Sequence, residues 1–405
     1  MRIIKCRICK KTKIKKLFSL GDLCFTGKFP KINQKIEKQP ITLVICKNCE
    51  LVQLSHNFNL KYLYGPDYGY RTGINKTMLD HVSKVVKSIS KKADLKKNDY
   101  VLDIASNDGS LLKCYKKDII TFGIDPILEK YIKDYKKINY KISDFFSARQ
   151  ILNKTKKKFK IITALSVFYD APDPNKFIKD AKKLLSLNGI FLLEFADLAS
   201  IVKNLMFDTI CHEHLEYYSS KVIINLCKKH NLEVFDIKKN DINGAGKQYY
   251  ICHADSKYNV NKKVIDDVLN SEKKLKLSDE KTFKNFINNI NKSKNKLYAF
   301  LKRANKLGKT IHGYGASTKG NVLLQYYNIN NKMVDYVAER NKNKFNLYTP
   351  GTNIKIISES KSRIYNPDYY LVLPWHFKKE ILIREKKIRK KGTKFIFPLP
   401  KLKII

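Results

Sequence analysis

A chain of 405 residues has room for two or three domains, and a hydrophobic share of 43% is enough to build their cores. No run approaches the ~20 apolar residues of a membrane span, and Met1-Arg2-Ile3-Ile4-Lys5-Cys6 offers no apolar signal region. We therefore expect a cytoplasmic protein whose nine cysteines are reduced or metal-bound. A formal net charge of +44 would suit a nucleic-acid partner, but the lysines are spread over the whole chain. The denser runs, 154–160 and 384–394, hold one aromatic between them, Phe159, too few to stack single-stranded bases. Anionic substrates are thus expected, with no membrane and no specific nucleic acid as partner.

In chain order, Cys6-x-x-Cys9 and Cys46-x-x-Cys49 come first, two cysteine pairs at knuckle spacing. Four thiolates in two such pairs close a tetrahedral zinc site and leave no open position, which predicts a structural Zn2+. Cys24, between them, is expected to be a packed thiol. Residues 62–73, Y-L-Y-G-P-D-Y-G-Y-R-T-G, make a loop dense in tyrosine. Its phenols suit either the lining of a sugar or nucleotide site or the packing of the zinc module on its neighbour. A helix over 75–92 follows.

Residues 100–112, Y-V-L-D-I-A-S-N-D-G-S-L-L, read as a buried parallel strand that enters a helix through a small-residue turn, so that a ligand can approach the backbone closely. A second strand, 119–124, ends at Asp125, an acid placed for ribose hydroxyls. The turn lacks the G-x-G-x-x-G spacing of a pyrophosphate binder. With Asp103 before it and Asp125 at the next strand tip, it suits a positively charged nucleoside, S-adenosylmethionine (SAM), with Ala105, Ser106, Asn107 and Gly109 forming the cradle. Asp144 is the third acidic point, suited to an adenine amino group. A strand over 161–168, a helix over 175–187, a turn at Asn188-Gly189 and a strand over 190–195 carrying Glu194 continue the alternation of a doubly wound sheet.

Residues 207–219, F-D-T-I-C-H-E-H-L-E-Y-Y-S, hold two of the eight histidines around a glutamate. The spacing is not H-E-x-x-H, so a helical zinc protease is not supported. A histidine beside a carboxylate is a candidate general base, against which stands a surface His-Glu-His with no catalytic part. Asn243-Gly244-Ala245-Gly246-Lys247-Gln248 is a glycine-rich turn into a strand over 249–253. Phe283, Phe286, Ile287, Ile290, Leu297, Phe300 and Leu301 recur at helical spacing up to Gly308, which ends the helix. A second α/β unit opens with a strand over 309–314 and Gly315-Ala316-Ser317-Thr318-Lys319-Gly320 at a helix start, either a phosphate cradle or a structural turn. Strands over 333–338 and 368–373 follow, the latter running into Pro374-Trp375-His376-Phe377.

The ordered set — four-cysteine knuckle, Y-x-Y-x-(S/T)-G loop, V-L-D-I-x-S-N-D-G, F-D-T-I-x-H-E-H-x-x-Y-x-S and G-Y-G-A-S-x-K-G — resembles the SAM-dependent sugar C-methyltransferases that act on nucleotide-linked 4-keto-6-deoxy sugars, over essentially the whole chain. The resemblance implies an α/β architecture with a zinc-binding module and tyrosine loop (1–75), a class I SAM-binding domain (76–280) and a Rossmann-like C-terminal domain (281–405). It also implies that His214 is the base with Glu213 beside it and His212 in the same motif, that Tyr68 or Tyr70 joins the active site, and that the substrate is a TDP-linked sugar. Three positions depart from the family: Cys211 stands where tyrosine is usual, Gln248 where arginine is usual, and Ala105 where glycine is usual. A SAM-dependent O- or N-methyltransferase on a surface-polysaccharide precursor, and a non-catalytic basic zinc-bearing nucleic-acid-binding protein, are the alternatives.

Overall fold

The computed structural model describes residues 1–65 and 67–405; Pro66, within the tyrosine loop, lies outside the described residues. Three sheets organise the chain. In the first, β1 (Ile14–Cys24), β2 (Lys38–Cys46) and β3 (Val52–Leu54) pair antiparallel, and a two-residue strand, β9 (Glu216–Tyr217), adds itself to β3. The two cysteine knuckles at the end of this sheet close alike: Lys10 N donates to Cys6 O at 3.0 Å and Glu50 N to Cys46 O at 2.9 Å, each from a residue in the left-handed region.

The second sheet holds β4 (Tyr100–Ile104), β5 (Ile120–Ile124), β6 (Tyr140–Ile142), β7 (Phe159–Leu165), β8 (Leu185–Phe195), β10 (Leu232–Asn240) and β11 (Gly246–His253) in the order β10-β11-β8-β7-β4-β5-β6. Strands β4 to β8 are parallel, while β11 runs antiparallel to both β8 and β10. Because the chain turns one way from β4 to β5 and returns on the other side at β7, a crevice opens beyond the C-terminal ends of β4 and β7. The helix Lys76–Ala93, capped by Asn75, lays Met78, Val82, Val85, Val86 and Ile89 on this sheet at the spacing that puts them on one stripe. Two expectations fail here. The turn after β4 leads only to a 3-10 turn, Leu112–Cys114, and not to the expected helix. Asn188-Gly189 is not a turn but lies inside β8, where Gly189 lets the backbone pass within reach of Phe159 O.

The third sheet, β12 (Ile311–Tyr314), β13 (Tyr336–Glu339), β14 (Lys355–Ser358), β15 (Tyr369–Val372), β16 (Lys394–Phe397) and β17 (Lys403–Ile404), is ordered β14-β13-β12-β15-β16-β17 and is parallel except for β17. Its crevice lies between β12 and β15. The helix Glu280–Lys306 reaches back to the first sheet, where Phe283 and Phe286 meet Phe18 at ring separations of 6.5 and 5.8 Å. One continuous core therefore joins the first and third sheets, while Cys6, Cys46 and Leu51 of the knuckles pack into the core of the second.

Candidate active site

The second and third sheets present the C-terminal ends of their parallel strands to one cavity of about 840 Å3. Asp103 to Asn107 after β4, Asp125 after β5, Ser166 after β7 and Glu194 of β8 line it from one side; Tyr314 to Lys319, Glu339 to Asn341, and Pro374 and His376 line it from the other.

On the β4 side the backbone does the shaping. Ala105, Asn107 and Gly109 all have left-handed φ values (+56°, +50° and +71°), which coils the turn tightly. Gly109 does not line the cavity; a Cβ there would lie 2.6 Å from Ile138, so glycine is needed for packing as well as conformation. Asp125 accepts from Asn107 N at 2.9 Å and Ile127 N at 2.8 Å, one bond on each oxygen, leaving each oxygen a second lone pair for ribose hydroxyls. Asp103 accepts from Thr163 Oγ1 at 2.6 Å; burial pushes its carboxyl up to about 7, with Thr163 opposing. Ser106 shares a hydrogen bond with Tyr135 at 2.8 Å and Asp144 is held by Gln150. Asp103, Ala105, Ser106, Asn107, Asp125 and Asp144 all reach the cavity. A turn of small residues with three carboxylates around open space fits the nucleoside and sulfonium of SAM, whose adenine, ribose and positive charge these groups would hold.

The tyrosine loop is stitched onto this turn. Thr72 N donates to Asn107 Oδ1 at 3.0 Å, Gly73 N to Asp108 Oδ2 at 2.9 Å, and Arg71 bridges Asp108 and Asp134 at 3.1 and 2.9 Å. Asn341 Nδ2 of the third sheet donates to Gly69 O at 3.2 Å. The loop both packs and lines, since Tyr64, Tyr68 and Tyr70 face the cavity.

His214 lies opposite. Its Nδ1 is 2.6 Å from Thr209 O, and a carbonyl can only accept, so Nδ1 carries the proton and Nε2 is left with a lone pair. Tyr169 packs on the ring at 4.2 Å. Burial, with the Lys319 cation adding to it, lowers His214 to about 3, so the imidazole is neutral at neutral pH. Glu213 also lines the cavity, but it is anchored: Thr26 Oγ1 donates to Oε2 at 3.3 Å, and a Cβ on Gly27 would stand 2.4 Å from Oε1. His212 is not brought to the cavity. It is fully buried, wedged against Phe25 and Phe58, with Nε2 bound to Gln39 O at 3.1 Å. Cys211 is buried beside Glu213 and likewise does not line the cavity. Gln248 lies behind Glu194: its Nε2 donates to Glu194 Oε2 at 2.5 Å, while His81 Nε2 bonds Oε1 at 2.7 Å.

Sequence reasoning assigned no role at this site to Asp170, Lys344 or His376, and read Lys319 only as part of a phosphate cradle or a structural turn. Asp170 lines the cavity with its carboxyl held well above the usual range by burial, and Tyr64 bonds it. Lys344 and Lys319 put ammonium groups at the third sheet's edge, and His376 adds a shielded imidazole. Asp170 was in reach of inspection as a polar residue just past β7, the place where a doubly wound sheet collects ligands.

None of the four knuckle cysteines lines this cavity. The sulfurs of Cys6, Cys9, Cys46 and Cys49 are all within 4.8 Å of one another, with Cys6–Cys49 at 3.5 Å and Cys9–Cys46 at 3.4 Å. Four thiolates at Zn–S distances of about 2.3 Å would sit roughly 3.8 Å apart, so the cluster fits a tetrahedral zinc ion with no position left for catalysis.

Three family models match in chain order: "Putative zinc binding domain" over residues 6–64, a methyltransferase domain over 74–237, and a C-methyltransferase C-terminal domain over 241–400. The C-methyltransferase NovU of Streptomyces niveus is 25% identical over 375 residues, covering 90% of this chain and 87% of NovU. Among solved structures, an S-adenosylmethionine-dependent methyltransferase from Clostridium acetobutylicum aligns with a TM-score of 0.35 at 14% identity, covering 43% of this chain and 92% of that one. Magnesium protoporphyrin IX methyltransferase of Synechocystis, with bound SAM, aligns with a TM-score of 0.34 at 12% identity, covering 48% and 89%.

Proposed function

Since the chain belongs to the SAM-dependent C-methyltransferases built from a zinc-binding, a methyltransferase and a C-terminal domain, we propose that it methylates the carbon next to the ketone of a nucleotide-linked keto-deoxy sugar. The observation that carries this reading is the state of His214. Thr209 O fixes the protonated nitrogen, and the bare Nε2 belongs to a ring that lines the same cavity as the Ala105–Gly109 turn. Carbon is a poor nucleophile until a proton leaves it, and a ketone makes the neighbouring C–H acidic enough for a neutral imidazole to take. Transfer to oxygen or nitrogen has less need of such a base.

In this mechanism His214 Nε2 removes the proton from the carbon beside the ketone, and the C–H pair becomes the double bond of an enolate. The carbonyl π pair moves to oxygen. SAM held there would supply an electrophilic methyl to the enolate carbon; the C–S pair would return to sulfur, leaving S-adenosylhomocysteine, and the oxygen's pair would re-form the ketone. Asp125, Asp103 and Asp144 orient the nucleoside; Glu213 holds the His214 segment against Thr26; Tyr68 and Tyr70 close the cavity and offer phenols to the sugar. A TDP-sugar is the expected form of the acceptor, its negative charge suiting a chain of net charge +44. No described helix is long and apolar enough to cross a membrane.

The test is mass spectrometry of products formed in deuterated water from SAM and a TDP-4-keto-6-deoxy sugar, with His214→Ala alongside. A product one methyl heavier, absent with the variant, is the expected result. Methylation retained by His214→Ala would refute the role of this histidine, and a wild type that neither methylates nor exchanges would refute the substrate class.

A further inference from the structure

We infer that Lys319 is the cation that holds the acceptor's ketone oxygen and stabilises the enolate formed when His214 takes the neighbouring proton, which makes the C-terminal domain part of the catalytic centre; this rests on the function proposed above.

Two lysines contrast sharply. Lys247 is buried and sits between two carboxylates, Asp197 and Glu272, each 2.6 Å from Nζ; its charge is matched and its role is structural. Lys319 lines the cavity, and among the described residues no carboxylate lies within 4 Å of its Nζ. Its one acceptor there is Asn243 O at 3.1 Å, which uses one of three ammonium donors. Asp208, whose charge opposes the effect of burial on Lys319, lies beyond ion-pair distance and spends Oδ2 on Trp375 Nε1 at 2.8 Å. Burial pulls Lys319 below the usual lysine range, whereas the carboxylates raise Lys247 above it. A half-buried cation with no carboxylate in ion-pair contact keeps donors for an arriving anion.

Four separate stretches place this ammonium. The helix Thr318–Tyr327 carries it at its first turn, the glycine-rich turn supplies Asn243 O, the segment Phe207–Thr209 packs on that helix, and the residues after β15 bring His376. Thr209, in the same segment, holds the base through its carbonyl. Thr318 Oγ1 and Glu213 Oε1 both face the Cα of Gly27, so the start of the lysine helix and the His-Glu-His segment abut. His376 also lines the cavity, its Nδ1 shielded and without a described partner. The field of Lys319 is felt at both His214 and His376. A cation that close to the base meets the charge that proton removal creates, whereas a distant one would only bind. Ammonium donors aimed at a developing oxyanion typically account for about 10²–10³ in rate.

The same chemistry would serve a phosphate oxygen, and the experiment separates the two. Full-length Lys319→Gln, Lys319→Met and Lys319→Arg are compared with wild type for deuterium uptake at the acceptor carbon without SAM, for TDP affinity by calorimetry, and for urea unfolding. The expected result is uptake slowed about 10²–10³-fold in Lys319→Gln and Lys319→Met at saturating TDP-4-keto-6-deoxy sugar, TDP affinity within about 2-fold, and partial rescue by Lys319→Arg. Lys319→Met should unfold at about the same urea or higher, because it removes a half-buried charge that no carboxylate pairs within 4 Å. Unchanged uptake in a wild-type-like background overturns the inference, as does a loss of TDP affinity with normal uptake at saturation, which would mark a phosphate contact. Unfolding of Lys319→Met at markedly lower urea would make the lysine structural and also overturn it. If wild type itself neither exchanges nor methylates, the proposed function fails and this inference with it.

Discussion

Arg7→Ala should destabilise the protein by about 3–5 kcal/mol and disturb the active site without touching it. Arg7 lies between Cys6 and Cys9, and its guanidinium is almost wholly enclosed. It donates to Leu54 O at 2.7 Å, to His56 O at 2.8 Å, to Gln53 Oε1 at 3.2 Å and to Asn57 Oδ1 at 2.7 Å, and it faces Glu216 Oε1 at 3.3 Å. Truncation leaves Glu216 as a buried acid without its counter-charge, which accounts for that range on its own; the orphaned carbonyls add up to about 1–3 kcal/mol each where water cannot reach them. Burial pushes the Glu216 carboxyl above its ordinary range and Arg7 is the main group opposing that push, so the charged carboxylate depends on Arg7. Glu216 belongs to β9, two residues past His214, so the base should lose its register as well. The assay is urea unfolding followed by tryptophan fluorescence, read at the first transition, beside the double variant Arg7→Met/Glu216→Met. Replacing both charges by apolar groups should recover part of the loss, since the pair itself contributes little beyond mutual compensation. A loss below about 1 kcal/mol for Arg7→Ala, or a double variant no better than the single one, would refute the account.

Two further predictions follow from the same geometry. Burial holds His212 at about 4 and His214 at about 3, both below the ordinary histidine value, so between roughly pH 6.5 and those values the unfolded chain binds protons that the folded one does not. Stability should therefore be fully present above about pH 6.5 and fall as the pH drops toward 4; substrate deuterium exchange should keep its acid limb well below 6.5, and an acid limb at the ordinary histidine value would count against an enclosed His214. Gly27→Ala would place a methyl 2.4 Å from Glu213 Oε1, an overpacking that costs about 1–3 kcal/mol and moves the His214 segment; activity should fall with SAM affinity retained by calorimetry, and a fully active variant would show that Glu213 can swing aside.

The parallel sheets were legible because their strands are short apolar runs ended by small or acidic residues, and a doubly wound order follows from the alternation with helices. The pairing of β9 with β3 was not legible: two residues carry no periodicity, and their partner is more than 150 residues away in sequence. The His-Glu-His motif announced itself, yet the residues alone could not say which histidine is the base. Positions two apart on an irregular segment are aimed by tertiary packing, and here Phe25 and Phe58 enclose His212 while Thr209 O turns His214 to the cavity. Lys247 and Lys319 are the same residue type after similar glycine-rich stretches. What separates them is whether distant acids, Asp197 and Glu272, arrive to neutralise the charge, and no local pattern encodes that.

The N-terminal module braces the candidate site although its four cysteines do not line the cavity. Its first strands share a core with the third sheet, Arg7 of the first knuckle grips the strand that follows His214, and Thr26 and Gly27 after β1 receive Glu213. The tyrosine loop then leaves the module and is pinned on both sides of the cavity, with Thr72, Gly73 and Arg71 on the turn after β4 and Gly69 on Asn341 beyond β13. These contacts add to the direct ones between the two halves, Lys319 Nζ on Asn243 O at 3.1 Å and Trp375 Nε1 on Asp208 Oδ2 at 2.8 Å, in holding the walls of a cavity of about 840 Å3, and near-attack geometry tolerates errors of only about 1 Å. The N-terminal module thus helps to fix the distance between the two walls of the cavity, and a zinc ion on the four cysteines would serve that distance by keeping the knuckles closed.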